Sequence, residues 1–227
     1  MFENNVIIAR TLNDAWRDAM WCCVRNGYDY LIEEGSYVGE IRRQLENVQI
    51  IINEPWSRPF IFYTPPGIPE PTNEDKINLY FNDYIINNTK TENEDYTYGM
   101  YIAKQITPAI EHLNNSNGNT NQACIAIGES NSIDLISPPC LRVIDFKVVN
   151  GYLNMSVFFR SWDLFAGLPE NLGGLQLLKE YVLYSLNFPI KDGKLIAYSS
   201  GLHLYSQYFP LVNQLNVNKI NLEGGNT

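Results

Sequence analysis

Apolar residues at Leu12, Ala15, Trp16, Ala19, Cys23 and Val24 recur with the period of a helix, and Thr11-Leu12-Asn13-Asp14 supplies its N-cap. Gly27 breaks that amphipathic core helix. Val48-Gln49-Ile50-Ile51-Ile52 alternates and is β-branched, which predicts a strand ended by Asn53-Glu54-Pro55. The proline-dense stretch from Pro59 to Pro71 predicts an irregular loop. Thr72-Asn73-Glu74-Asp75 starts a second helix, whose core-facing stripe is Ile77, Tyr80, Phe81, Tyr84 and Ile85. A polar connector, Asn87 to Asp95, leads to a helix opened by Tyr96-Thr97-Tyr98-Gly99 and running to Leu113, with Ile102, Ile106, Ile110 and Leu113 inward despite Pro108. Asn114 to Asn121 reads as a surface loop, and Ala123 to Ile127 as a short buried strand in which Cys124 serves packing.

The second half of the chain is more regular. Val143 to Val149 and Leu153 to Phe159 alternate as two strands, and Gly167-Leu168-Pro169-Glu170-Asn171 enters a helix with Leu175, Leu178, Tyr181 and Val182 inward. Gly173 and Gly174 each cost a helix about 1 kcal/mol, so their presence argues for close approach by a strand or a ligand. Lys194 to Ser199 predicts a strand. Extended through Gly201, it sets His203 and Tyr205 on one side.

Composition narrows the function classes. With 227 residues and 45% hydrophobic content, the chain is expected to form a single domain over 1–227. A net charge of −9 speaks against nucleic-acid partners and anionic membrane surfaces. No apolar run reaches the roughly 20 residues of a membrane span, so a soluble cytoplasmic protein is expected. The four cysteines show no C-x-x-C spacing, and Cys22 and Cys23 point about 100° apart on their helix. Reduced thiols and no metal site are the expectation.

Candidate chemistry gathers between Ser137 and Tyr205. Cys140 follows Pro138 and Pro139, whose rings restrict the chain and present the thiol, while Arg142 and Arg160 stand near enough in sequence to favour a thiolate. A buried, inert Cys140 is the alternative. Arg160 calls for an anion, a ligand or an internal ion pair with Asp163. Asn171 either caps a helix or reads an amide-like ligand edge with its adjacent donor and acceptor. His203 is a structural histidine or a ligand contact, and Arg42 and Arg43 are solvated charges or phosphate contacts.

Taken together, Pro138-Pro139-Cys140, Phe159-Arg160-Ser161-Trp162-Asp163, Gly167-Leu168-Pro169 with Asn171, and His203-Leu204-Tyr205 resemble the signature of the folate-dependent thymidylate synthase family. Trp162-Asp163-Leu164 and Gly201-Leu202-His203 are similar to its archaeal, methanogen-type branch. The resemblance covers residues 137 to 208, with a weaker echo at Tyr98-Gly99. It implies an α/β (α+β) fold, a mixed twisted sheet with helices packed on one face and the other sheet face forming a homodimer interface. It also implies conversion of dUMP to dTMP with 5,10-methylenetetrahydrofolate or an archaeal pterin equivalent, through a Cys140 adduct at pyrimidine carbon 6. On the same resemblance Cys140, Arg160, Tyr98 and Asn171 are catalytic. Arg160 and Ser161 hold the phosphate, Asn171 the pyrimidine edge, His203 and Tyr205 the sugar hydroxyl, and Asp163 the nucleotide or folate.

The chain also departs from the family pattern. Bacterial members carry an Arg-Arg pair where this chain has Asn121-Gln122; either Arg42 or Arg43 substitutes for it or phosphate affinity is lower. Glu74 is the candidate for the family's general-base glutamate, and Glu170 replaces an apolar residue. The chain's Glu223-Gly224-Gly225-Asn226-Thr227 differs from the apolar family terminus that closes over folate. Closure decides whether hydride or water reaches the carbon, so a dUMP or dCMP hydroxymethylase on the same fold is an alternative, as is a catalytically silent nucleotide-binding relative.

Overall fold

The structure, a computed structural model, describes residues 5–35, 37–92 and 94–215; the terminal segment from Glu223 lies outside them. Helix α1 (Leu12–Asn26) begins as its sequence dictates. Thr11 Oγ1 accepts from the Asp14 amide at 3.2 Å, and the Asp14 carboxylate accepts from the Thr11 amide at 3.1 Å, so the two residues satisfy each other's free N–H groups. The helix buries Leu12, Ala15, Trp16, Ala19, Met20 and Cys23 and ends at Gly27.

Eight strands form one sheet: β1 (Val6–Ala9), β2 (Tyr28–Leu31), β3 (Ile41–Ile52), β4 (Cys124–Ala126), β5 (Leu141–Val149), β6 (Tyr152–Phe159), β7 (Trp162–Asp163) and β8 (Lys191–Tyr205). Their order is β1-β3-β8-β6-β5-β4, with β2 on β3 and β7 on β8. The β3–β8 pair is antiparallel and the β6–β8 pair parallel, so the sheet is mixed, as expected. β3 starts at Ile41, well before the predicted Val48, because its long pairing with β8 extends to Arg42 opposite Tyr205. The two four-residue strands β1 and β2 are too short to show a period of their own.

The remaining helices are α2 (Glu74–Tyr80), α3 (Gly99–Ile102), α4 (Ile106–Asn115) and α5 (Gly167–Tyr184). Leu153, Met155, Val157 and Phe159 of β6 join Leu195 and Ala197 of β8 in one continuous core with Trp16 of α1 and Leu172, Leu175 and Leu178 of α5. Each fully buried Leu, Val or Phe side chain contributes about 1.5–3 kcal/mol. The intervening Val6, Ile8, Phe158 and Tyr198 stay exposed on the single chain.

Several local expectations are corrected. α2 passes into a π-helical turn, Phe81–Ile86, so Ile77 and Ile85 of the predicted stripe are fully buried and Tyr80, Phe81 and Tyr84 only partly. The helix expected to run to Leu113 is two, and Pro108 falls in the first turn of α4, where a missing N–H costs little. Cys124 is exposed, because β4 is three residues long and buries only Ile125. Tyr181 is 46% exposed. Gly173 and Gly174 of α5 admit a neighbouring helix and not a strand. A Cβ at Gly173 would come within 2.7 Å of Ile77, and one at Gly174 within 2.7 Å of the Tyr80 ring, so both exist to let α2 lie against α5.

Candidate active site

Cys140 ends the Pro-Pro segment just before β5 and is partly buried. Arg160, directly after β6, folds its guanidinium back onto that segment, donating to the Pro138 carbonyl at 2.6 Å and the Pro139 carbonyl at 3.1 Å. It is therefore not the ion-pair partner of Asp163. The Asp163 carboxylate accepts from the Phe165 amide at 3.0 Å and from the amides of Ala166 and Gly167, so it serves the start of α5. Burial raises its pKa in spite of those donors.

Of the two arginines expected to favour a thiolate, Arg160 is the one whose charge bears on Cys140. Burial pushes the Cys140 thiol above its ordinary value, with the Arg160 charge opposing but not prevailing. The Arg142 guanidinium points elsewhere, 3.2 Å from where a Gly128 Cβ would stand.

A cavity of about 560 Å³ opens beside the thiol, within the roughly 300–1,000 Å³ of small-molecule sites. Cys140, Arg160, Ser161 and Tyr205 line it, together with Arg42, which the sequence left among several readings. Strand pairing brings Arg42 there: it lies directly opposite Tyr205, and Gln44 opposite His203, so these four side chains share a face. Arg42 packs its guanidinium 4.6 Å over the Tyr30 ring, and its buried Nε has no hydrogen-bond partner. Arg43 instead forms a bidentate pair with Asp29 at 2.6 and 2.8 Å. Glu34 and Glu46 also border the cavity, the latter accepting from Tyr28 and Gln44.

Tyr98, His203, Asp163 and Asn171 stand outside the cavity lining. Tyr98 accepts from the Leu141 amide at 3.3 Å, next to Cys140, and burial holds its phenol protonated. Three further tyrosines surround it: Tyr84 at 5.1 Å, Tyr96 at 5.7 Å, and Tyr80 stacked on Tyr84. His203 packs edge-on against Tyr205 at 4.9 Å, with its Nδ1 3.2 Å from the Gly201 carbonyl oxygen. Burial, then the Arg42 charge, lowers its pKa to about 4, so the imidazole is neutral at pH 7.

Asn171 is not the N-cap of a helix. It lies inside α5, one turn after Gly167. Its Oδ1 accepts from the Trp162 indole at 2.8 Å and its Nδ2 donates to the Tyr80 hydroxyl at 2.7 Å. Glu74 is exposed and 3.7 Å from Arg58, away from the cavity. Among the described residues no helix is long and apolar enough to cross a membrane.

Sequence reasoning missed Tyr80 and the part Trp162 plays. The only local signal was the Gly173-Gly174 pair, which marks where Tyr80 presses on α5.

Comparison with known proteins identifies the family. The thymidylate synthase family model matches residues 83–222. A Methanosarcina barkeri protein named "Putative thymidylate synthase" is 27% identical over 220 residues, covering 92% of this chain and 94% of that one. A Methanopyrus kandleri protein of the same name is 25% identical over 211 residues, 90% and 95% of the two chains. The fold matches that of thermostable thymidylate synthase A from Bacillus subtilis with a TM-score of 0.68 at 15% identity, over 91% of this chain and 84% of that one. This chain belongs to the thymidylate synthase family.

Proposed function

We propose that this chain converts dUMP to dTMP, with Cys140 as the nucleophile. The observation that carries the reading is that Cys140, Arg160, Ser161, Tyr205 and Arg42 border one cavity. Two guanidiniums and a hydroxyl suit a phosphate dianion beside an attacking sulfur. Strongly exposed Ile133 and Ile136 at the rim of the same cavity suit a flat heteroaromatic second ligand. A reduced folate, or an archaeal pterin, supplies the one-carbon unit and the hydride.

The residues divide the work. Arg160, Ser161 and Arg42 bind the phosphate, with Arg42 filling the place that Asn121-Gln122 leaves without an arginine. His203 and Tyr205 hold the sugar hydroxyl from one side of β8; a neutral imidazole suits that contact better than a cation. Asn171 accepts from N3–H and donates to O4 of the pyrimidine. As the Cys140 sulfur bonds to carbon 6, its proton passes to solvent, and the electron pair of the 5,6 double bond moves to carbon 5 and O4, giving an enolate. A donor at O4 stabilises that charge where it develops. Burial opposes ionisation of the Cys140 thiol and the Arg160 charge favours it. Tyr98, protonated beside Cys140, assists loss of the carbon 5 proton by orienting the group that takes it. Asp163, whose charge is felt at Tyr205, holds the strand-to-helix turn that carries Trp162 and Asn171. The open sheet face of Val6, Ile8, Phe158 and Tyr198 supports a homodimer.

Product analysis after incubation with dUMP and methylenetetrahydrofolate tests the proposal. Thymidylate is expected; hydroxymethyl-dUMP would mark a hydroxymethylase, and unchanged dUMP a silent nucleotide-binding relative.

A further inference from the structure

The carboxamide of Asn171 is gripped from two sides. An asparagine side chain has two orientations, related by a half-turn, that match in shape and invert every hydrogen bond. One presents the pattern that fits uracil, the other the pattern that fits cytosine. A mobile asparagine therefore accepts either base.

Here the half-turn is blocked. The Trp162 indole N–H can only donate, and it lies 2.8 Å from Oδ1, so a turned amide would set an NH2 group against it and lose that bond. Trp162 itself has little freedom: it is 2% exposed and stacked on Phe159 at 3.9 Å with 4° between the ring planes. On the other side, Nδ2 donates to the Tyr80 hydroxyl at 2.7 Å. Tyr80 is held by its stack on Tyr84 at 5.4 Å and by its fit over Gly174. One lone pair of Oδ1 and one N–H of Nδ2 remain unused.

We propose that Trp162 is a positioning residue that locks the Asn171 carboxamide in the orientation that selects a pyrimidine bearing N3–H and a 4-oxo group over one bearing a 4-amino group, while Tyr80, whose hydroxyl can donate or accept, holds the amide in place without choosing its orientation. The inference rests on the nucleotide-binding reading above and adds the source of base selectivity to it. Neither residue touches the nucleotide.

The test compares dUMP and dCMP binding to the full chain by calorimetry, in wild type, Trp162→Phe and Tyr80→Phe. Phenylalanine keeps an aromatic ring at each position; at Trp162 it removes the indole N–H together with the second ring, at Tyr80 only the hydroxyl. Wild type is expected to prefer dUMP; Trp162→Phe loses roughly tenfold of that preference, and Tyr80→Phe, which leaves the indole donor in place, keeps it. A merely structural role would weaken both nucleotides alike and leave their ratio unchanged. If Trp162→Phe does not fold, Trp162→Met removes the donor in its place. A wild-type ratio in the Trp162 variant that folds, or an equal loss of preference in Tyr80→Phe, overturns the lock and leaves the nucleotide reading standing. Wild type that binds neither nucleotide overturns both.

Discussion

The amide of Arg160 donates to the carbonyl of Cys140 at 2.8 Å, tying the residue after β6 to the residue before β5. Together with the two guanidinium bonds onto Pro138 and Pro139, this makes thiol and cation a single unit anchored by main-chain groups. The guanidinium is spent on carbonyls and on the cavity, with no carboxylate among the described residues paired to it. The positive charge beside the sulfur is therefore held ready for a ligand.

Arg42 gives the first prediction. If it holds the phosphate, Arg42→Met weakens dUMP binding about 10- to 100-fold and leaves deoxyuridine, which has no phosphate, unchanged. Titration calorimetry with both ligands checks this. Equal loss for the two ligands would mean that Arg42 supports the fold around Tyr30 and does not hold an anion.

His203 gives a prediction about acid. Its folded pKa, lowered to about 4, lies below the roughly 6.5 of an unfolded histidine. Between those values the unfolded chain takes up a proton that the folded one refuses, so stability falls as pH drops from about 6.5 to 4 and is unaffected above. The loss is on the order of 3 kcal/mol. Burial raises Asp163 and Glu170, which act in the opposite sense, but they cancel when wild type is compared with His203→Gln. Urea unfolding at pH 7 and pH 4 should show the wild type losing more than the variant; equal losses would refute a buried neutral imidazole.

Lys179, fully buried in α5, lies 2.8 Å from Asp192 and donates to the Gly193 carbonyl. Burial lowers its pKa to about 8, with Asp192 opposing. Removing one partner leaves the other charge poorly solvated, so Lys179→Met is expected to cost about 3 kcal/mol. Adding Asp192→Asn should restore a large part of that. Chemical unfolding measures both, and a single-variant loss below about 1 kcal/mol would show that Asp192 has water enough without its partner.

What the sequence made legible is what local rules determine. The Thr11 cap, the strands leading to Val149 and Phe159, the presented Cys140 and the shared side of His203 and Tyr205 all follow from spacing within a few residues. Arg42 was harder. Carried backward from Val48, Ile50 and Ile52, the alternation puts Arg42, Gln44 and Glu46 in the core. Asn47, at a φ of +51°, interrupts it, and burial passes to Leu45 while the polar residues front the cavity. The burial that opposes ionisation of Cys140 was not legible, because sequence shows the neighbouring arginine and not the depth of the thiol. Tyr80, the last residue of α2, meets Asn171 across 91 positions, a long-range contact that no local pattern announces.

The central claim is that Cys140 attacks a uracil nucleotide held in this cavity. The most direct measurement is intact-protein mass spectrometry after incubation with 5-fluoro-dUMP and methylenetetrahydrofolate, since fluorine at carbon 5 cannot leave as a proton does and halts the reaction at the covalent stage. Wild type should gain the combined mass of both ligands, and Cys140→Ser should gain nothing. No adduct on the wild-type protein, or an equal adduct on Cys140→Ser, would contradict the account.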